Sequence, residues 1–318
     1  MSFITLIIGF VLLIKGADVF VDSCSSIARK FNVPSMIIGL TIVAMGTSAP
    51  EAAVSITSSL AGQNDMSVAN VVGSNFFNIL VVLGCSAILA KLPVEKSTIK
   101  KDTPFLLIVS AMMLLFAWNL EITRIEGLLF LALFVYFLVD TIKTAKASND
   151  QSSSLVGDDV AVAIEVEDTF NMTKTIVLGV VGIVGIVLGG DFVVDGATEI
   201  ATSFGMSANL VGLTIVAMGT SLPEFVTSVM AIKKGETEIA IGNVIGSNLF
   251  NILLVLGLSA TISPIMLSDF IAVLDVLFMF GATIVLYLFM KKDNSLVKAH
   301  GIVFLVSYFA YMAYTIIR

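Results

Sequence analysis

The stretch GLTIVAMGTSAPEAAVSITSSLAGQNDMSVANVVGSNFFNILVVLG, from Gly39 to Gly84, returns from Gly212 to Gly257 as GLTIVAMGTSLPEFVTSVMAIKKGETEIAIGNVIGSNLFNILLVLG. A constant offset of 173 residues superposes the two copies without a gap, and 26 of the 46 paired positions are identical. The identities fall on Gly, Thr, Ser, Pro, Glu and Asn as well as on apolar residues. Apolar composition alone would not reproduce those polar positions, so the chain is a duplication and the duplicated part carries a polar site. Each copy sets one glutamate, Glu51 or Glu224, in the middle of apolar sequence.

The rest of the chain fixes the solvent. Of its 318 residues 57% are hydrophobic and 13% charged, far from the roughly 25% charged of a soluble domain. A helix needs about 20 mostly apolar residues to cross a bilayer. Ten candidate spans are centred near residues 13, 45, 79, 111, 133, 186, 219, 250, 280 and 308. Their apolar runs are continuous and not alternating, which argues against a β-barrel. The expectation is an all-α polytopic membrane protein with ten transmembrane helices.

The net charge of −7 says little about partners, because the basic residues are sorted by loop. Arg29 and Lys30 follow the first span, and Lys91, Lys96, Lys100 and Lys101 the third. Lys143, Lys146 and Lys174 flank the central linker. Lys233 and Lys234 follow the seventh span, and Lys291, Lys292 and Lys298 the ninth. Outside these connections stand only Lys15, Arg124 and Arg318. The positive-inside rule puts the five basic connections in the cytoplasm and both termini outside. Five spans per copy is an odd number, so the second copy enters the membrane from the opposite face. The expected organisation is a five-helix repeat over 1–146, an acidic cytoplasmic linker over 147–172 and an inverted five-helix repeat over 173–318. Such inverted repeats are a transporter device that places a shared site near the bilayer midplane.

The linker holds Asp150, Asp158, Asp159, Glu165, Glu167 and Asp168 with no basic residue. Its spacing does not match an EF-hand loop, and it reads as a solvated hinge. Cys24 and Cys85 lie in apolar helical sequence and read as small core residues. The N-terminus lacks a basic leader region and reads as a retained first helix.

The polar motifs suggest an ion site. Pro50 has no N–H and crowds the carbonyl of Gly46, so carbonyls around residues 44–47 lose regular helical partners; Pro223 does the same around 217–220. In lipid, irregular backbone persists only where it is buried in protein or lines a cavity. Thr47, Ser48, Thr220 and Ser221 add hydroxyls. Glu51 and Glu224 supply charge, which costs about 2.5–3.5 kcal/mol in the membrane interior even on the lenient insertion scale. No Lys, Arg or His lies in either motif core to pair with them. The set suits a divalent cation, monovalent cations or protons. Ca²⁺ takes six to eight oxygen ligands of this mixed type, and soft-metal ligands are missing from both motifs. The second half-motif, Gly73-Ser74-Asn75-Phe76-Phe77-Asn78, recurs as Gly246-Ser247-Asn248-Leu249-Phe250-Asn251. Ser74 and Asn78, four apart, share a helix face and complete the donor set, as do Ser247 and Asn251. Asn75 and Asn248 read as structural hydrogen-bonders between helices. Asp18 and Asp22 match Asp191 and Asp195 at the repeat offset and read as polar contacts near helix ends, with Lys15 pairing locally with Asp18.

At these residues the chain resembles the cation/Ca²⁺ exchanger superfamily, in particular prokaryotic Na⁺/Ca²⁺ exchangers. GTSxPE and GSNxFN in both halves match that family's two repeats, and the resemblance extends over all ten spans. It implies an antiporter in the plasma (inner) membrane of a prokaryote, exchanging Ca²⁺ for Na⁺ by alternating access between the repeats. Glu51 and Glu224 would bind Ca²⁺ and share in Na⁺ binding. Thr47, Ser48, Ser74, Thr220, Ser221, Ser247 and the carbonyls of Ala44 and Ala217 would supply oxygens. Asn78 and Asn251 would flank the central position, and the first and sixth helices would slide across the core. Some relatives carry an acidic residue where this chain has Asn251. Beyond the transported ions and lipid, no cofactor, nucleic acid or protein partner is implied. The alternatives are an H⁺/Ca²⁺ exchanger and a cation channel. An enzyme is disfavoured, because the chain has no HExxH and a single histidine, His300.

Overall fold

The computed structural model describes residues 2–62, 64–155, 171–206, 217–267 and 269–317. Almost all of it is helix. In chain order the helices are α1 (Ser2–Lys30), α2 (Ser35–Thr47), α3 (Ala49–Leu60), α4 (64–89), α5 (98–117) and α6 (Arg124–Leu155). Then come α7 (Met172–Ser203), the single turn α8 (Ala217–Gly219), α9 (Leu222–Lys233), α10 (Thr237–Ile262), α11 (Phe270–Asp293) and α12 (Lys298–Ile317). Six helices are individually long and apolar enough to cross a bilayer, seven if the bent pair α2–α3 counts as one span. Helix α6 continues to Leu155, into the expected linker, and α7 begins at Met172; residues 156–170 of that linker lie outside the described residues.

The molecule is built for lipid. Large apolar side chains face outward, among them Phe3, Leu115, Ile125 and Phe309, while Glu51, Glu224, Ser48, Ser221, Asn78 and Asn251 are fully buried. That inversion of the soluble pattern fits a solvent as apolar as the side chains. The two most enclosed spans are α4 and α10, 78% and 94% buried over their apolar windows. Each carries a GSNxFN motif and then widens into a π-helical turn, over Asn78–Val82 and Asn251–Leu256. Such π turns gather at functional sites.

Contacts between the copies exchange under the repeat offset. Helices α1 and α7 pack antiparallel through glycines. A Cβ on Gly9 would stand 2.9 Å from Gly189 O, and one on Gly16 would stand 2.8 Å from Gly182 O. The offset turns the first pair into the second. Only glycine lets two helix backbones approach so closely, a common membrane packing device. Four two-residue strands depart from the expected all-helical chain, and they pair in the same exchanged manner. Leu92–Pro93 joins Ser295–Leu296, and Glu121–Ile122 joins Ile265–Met266. The helices that carry the glutamates end alike, at Gly62 and Gly235 with φ of 74° and 78°, a left-handed cap that glycine adopts without strain. Cys24 is buried and Cys85 half-buried, both as free thiols.

Candidate cation site

Ser-x-Pro-Glu has the spacing of a capping box, in which Ser caps a helix and Glu reaches back from the third position. The helix does start there. The backbone turns at Ser48 (φ −84°, ψ 10°) and α3 follows with Pro50 in its first turn, where its missing N–H costs nothing. The axis bends by 49° between α2 and α3. Ser221 turns alike (φ −93°, ψ 5°) before α9. Each glutamate therefore lies on the first turn of a half-helix whose N-terminal dipole favours negative charge. The sequence reading placed the motif in mid-helix with freed carbonyls. The structure instead breaks the helix at the serine, and the carbonyl of Ala44 accepts a regular helical bond from Ser48 N at 3.0 Å, which leaves it a second lone pair.

The serines do not cap their own helices. They cross to the other copy. Ser48 Oγ donates to Glu224 Oε1 at 2.8 Å, and Ser221 Oγ donates to Glu51 Oε1 at 3.2 Å. Within each copy Ser74 reaches Glu51 Oε1 at 3.1 Å and Ser247 reaches Glu224 Oε1 at 3.4 Å. Ser221 and Ser74 also meet at 2.9 Å, which joins the two halves of the cluster. All six residues are buried.

Four asparagines hold α4 against α10. Asn75 Nδ2 donates to Asn248 O (3.2 Å) and Asn248 Nδ2 to Asn75 O (3.4 Å). Asn78 Nδ2 donates to Asn248 Oδ1 (3.2 Å) and Asn251 Nδ2 to Asn75 Oδ1 (3.0 Å). These bonds use one N–H of each amide, and Asn251 Nδ2 gives its second to Ser74 Oγ at 3.1 Å. Asn78 Oδ1 and Asn251 Oδ1 are left buried without a partner, as are Glu51 Oε2, Glu224 Oε2 and Thr220 Oγ1. Buried polar atoms normally find partners, so five free oxygens around one cluster make it the candidate cation site. Among the described residues no three His, Cys, Asp or Glu side chains converge to hold a metal; two carboxylates carry the charge here. Ala217 opens the single turn α8, and Thr220 follows it in the break before α9.

Two positioning residues escaped the sequence reading. Asn70 Nδ2 bonds Glu51 O (3.2 Å) and Ser55 Oγ (2.9 Å), and Asn243 Nδ2 bonds Glu224 O (3.3 Å) and Ser228 Oγ (3.0 Å). Asn243 Oδ1 also accepts from Thr47 Oγ1 of the other copy at 3.1 Å. Both asparagines and both serines are identities at the repeat offset, which was the available signal. Asn243→Leu keeps the volume but strands these groups, and an unmet buried polar group costs about 1–3 kcal/mol. The purified variant is expected to melt several degrees below the parent in detergent. An unchanged Tm would remove Asn243 from the clamp. A second correction concerns Asp18. It pairs with Lys234 at 2.7 Å and not with Lys15, because the folded chain brings a distant amine to it.

A cavity of about 610 Å³ adjoins the cluster. It is lined by residues of α3, α7, the end of α8 and the start of α9, including Pro50, Asp191, Asp195, Thr220 and Pro223. A helical membrane protein with a buried, all-oxygen, doubly acidic cluster shared by two copies of one motif is a cation transporter in class. The model of the family described as sodium/calcium exchanger protein matches residues 1–143 and 174–317. The chain belongs to that family. It is 42% identical to CaxA of Alkalimonas amylolytica, over 97% of this chain and 96% of that one. It is 32% identical to the sodium/calcium exchanger MaX1 of Methanosarcina acetivorans, over 98% and 97% of the two chains. The solved sodium-calcium exchanger NCX_Mj superposes with a TM-score of 0.84 at 30% identity, over 98% of this chain and 97% of that one. The protein is thus a multi-pass membrane protein of the prokaryotic cation/Ca²⁺ exchanger superfamily.

Proposed function

We propose that the protein exchanges Ca²⁺ for Na⁺ by alternating access, with the ions held by Glu51, Glu224, Ser48, Ser74, Ser221, Ser247, Thr47, Thr220, Asn78, Asn251 and the carbonyls of Ala44 and Ala217. The observation that carries this reading is the crossed pair of bonds, Ser48 to Glu224 and Ser221 to Glu51. Each carboxylate is completed by the other copy, so a shift of one copy against the other dismantles the site. The serine hydroxyls give their protons to carboxylates and keep lone pairs for a cation. With the free carboxylate and amide oxygens they reach the six to eight ligands that Ca²⁺ takes. Two carboxylates are balanced by one divalent ion or by monovalent ions, and the two sets compete for the same oxygens. The relative MaX1, a sodium/calcium exchanger, supports the same reading.

The architecture behind this is ten spans in two inverted five-helix repeats, with both termini outside the cell membrane. The exchanged contacts of α1 with α7 and the sorting of basic residues support it. A lone cysteine introduced by Lys96→Cys is expected to react with an impermeant thiol reagent only from the cytoplasmic side. One introduced by Asn119→Cys should react only from outside, and the reverse pattern would overturn the topology.

The counter-ion is tested in proteoliposomes. Ca²⁺ uptake should follow an imposed Na⁺ gradient and should not follow a proton gradient at constant Na⁺. Uptake driven by protons alone would move the protein to the H⁺/Ca²⁺ branch. Uptake with no counter-ion would make it a channel.

A further inference from the structure

We infer that Lys234, clasping Asp18 and Asp22, is a one-sided latch that holds the transporter closed on the face where α1 ends at Lys30. The duplication supplied the opposite face with the acids but not with the amine. This rests on the alternating-access reading above.

Lys234 Nζ lies 2.7 Å from Asp18 Oδ1 and 2.7 Å from Asp22 Oδ1. It is the residue that caps the C-terminal end of α9, the helix whose first turn carries Glu224. The latch therefore ties α1 to the far end of a site helix. A second tie lies beside it. Arg29 of α1 meets Glu236 at 3.1 Å, and Glu236 also accepts from Ser35 Oγ, at the start of α2, at 3.3 Å.

The repeat offset shows what is missing on the other face. Asp18 and Asp22 correspond to Asp191 and Asp195, so the acids are duplicated. Lys234 corresponds to Ala61, Arg29 to Thr202 and Glu236 to Gln63, so the ion pairs are not. Asp191 and Asp195 instead line the cavity of about 610 Å³ beside Pro50 and Thr220, and among the described residues neither has an ion-pair partner. The interior carries the same asymmetry. Thr47 Oγ1 is bonded to Asn243 across the repeats, while Thr220 Oγ1, its counterpart at the repeat offset, is buried without a partner.

Exchange of the two copies' roles is what an inverted repeat permits. It would carry Asp18 and Asp22 away from Lys234 and bring Asp191 and Asp195 toward Ala61, where no amine waits. The ion pairs thus exist in one state only, and a contact made in one state shifts the balance of the two. The Lys234 side chain is 22% exposed and the two aspartates 36% and 65%, so screening keeps the effect small. Pairs of that exposure are expected to move the equilibrium about two- to five-fold.

The test reads accessibility and needs no ion flux. In a background with Cys24 and Cys85 replaced, Ala53→Cys reports the cavity face and Val226→Cys, its offset equivalent, reports the latched face. Lys234→Gln should speed labelling of the Val226→Cys site by about two- to five-fold, and Asp18→Asn with Asp22→Asn should do the same. Ala61→Lys builds the mirrored latch. It should speed labelling at the Val226→Cys site and slow it at the Ala53→Cys site. If Lys234→Gln and the double Asn variant leave both rates at parental values in well-folded protein, the latch is wrong. Unchanged rates in Ala61→Lys would equally overturn it. Shifted labelling in a protein that moves no Ca²⁺ would leave the latch standing and refute the transport reading instead.

Discussion

Glu51→Gln and Glu224→Gln are each expected to abolish Ca²⁺ exchange in proteoliposomes while the purified protein keeps its size-exclusion profile. The fold should survive because the bonds survive. Oε1 of either glutamate accepts from two serines, one in each copy, and a glutamine carbonyl oxygen accepts the same two bonds. The free oxygen, Oε2, sees the change. It is buried and unpartnered in both residues, and glutamine replaces it with an NH₂ that repels a cation. Removing one charge from a buried pair costs about 2–5 kcal/mol, so Ca²⁺ affinity should fall at least about 30-fold. The two variants should fail alike, since each carboxylate belongs to a site completed by the other copy. A variant that folds and transports at near-parental rate would mean that the cation sits elsewhere.

That expectation was within reach of the sequence because the duplication marks polar residues that apolar drift would have erased. Glu51, Ser74 and Asn78, with their partners 173 residues on, stand out as identities in an apolar background. The sequence does not reveal which copy completes which carboxylate. Ser48 is three residues from Glu51, the spacing of a capping box, yet its hydroxyl goes to Glu224. A local pattern cannot report a bond made across 176 residues. The same blindness misassigned Asp18. Lys15 is one turn away and Lys234 is 216 residues away by number, but only the folded chain shows that the distant amine is the nearer one. Asn70 and Asn243 were visible as identities, and what was missing was a reason to separate them from helix-packing polars. Their reason is the backbone carbonyl of the glutamate, which has no sequence signature. The wide turns at Asn78 and Asn251 were invisible for a related cause. A π turn differs from an α turn by one residue of register, and the apolar pattern around it is too uniform to show the slip.

Gly189→Ala is expected to cost the protein both its stability and its exchange activity, although it adds one methyl group. The new Cβ would stand 2.5 Å from Leu13 N and 2.8 Å from Gly9 O. Both are backbone atoms of α1, so no rotamer can relieve the clash, and the two helices must separate along the glycine seam. Separation loosens every close contact in that seam, including Gly16 against Gly182 and Gly196 against Ser2. Overpacked sites that must move backbone cost about 1–3 kcal/mol or more. The seam also joins the two helices proposed to slide during transport, so a wedge there should trap or misalign them. Gly179→Ala is the control on the same helix, because its Cβ would meet only the Ser23 side chain, at an ordinary 3.4 Å from Cβ and 3.8 Å from Oγ. The prediction is a Tm several degrees lower and Na⁺-driven Ca²⁺ uptake reduced at least about tenfold for Gly189→Ala, with the control near parental in both. If both variants behaved alike, the tight seam would not be what couples α1 to α7. The sliding pair would then have to be sought in other contacts.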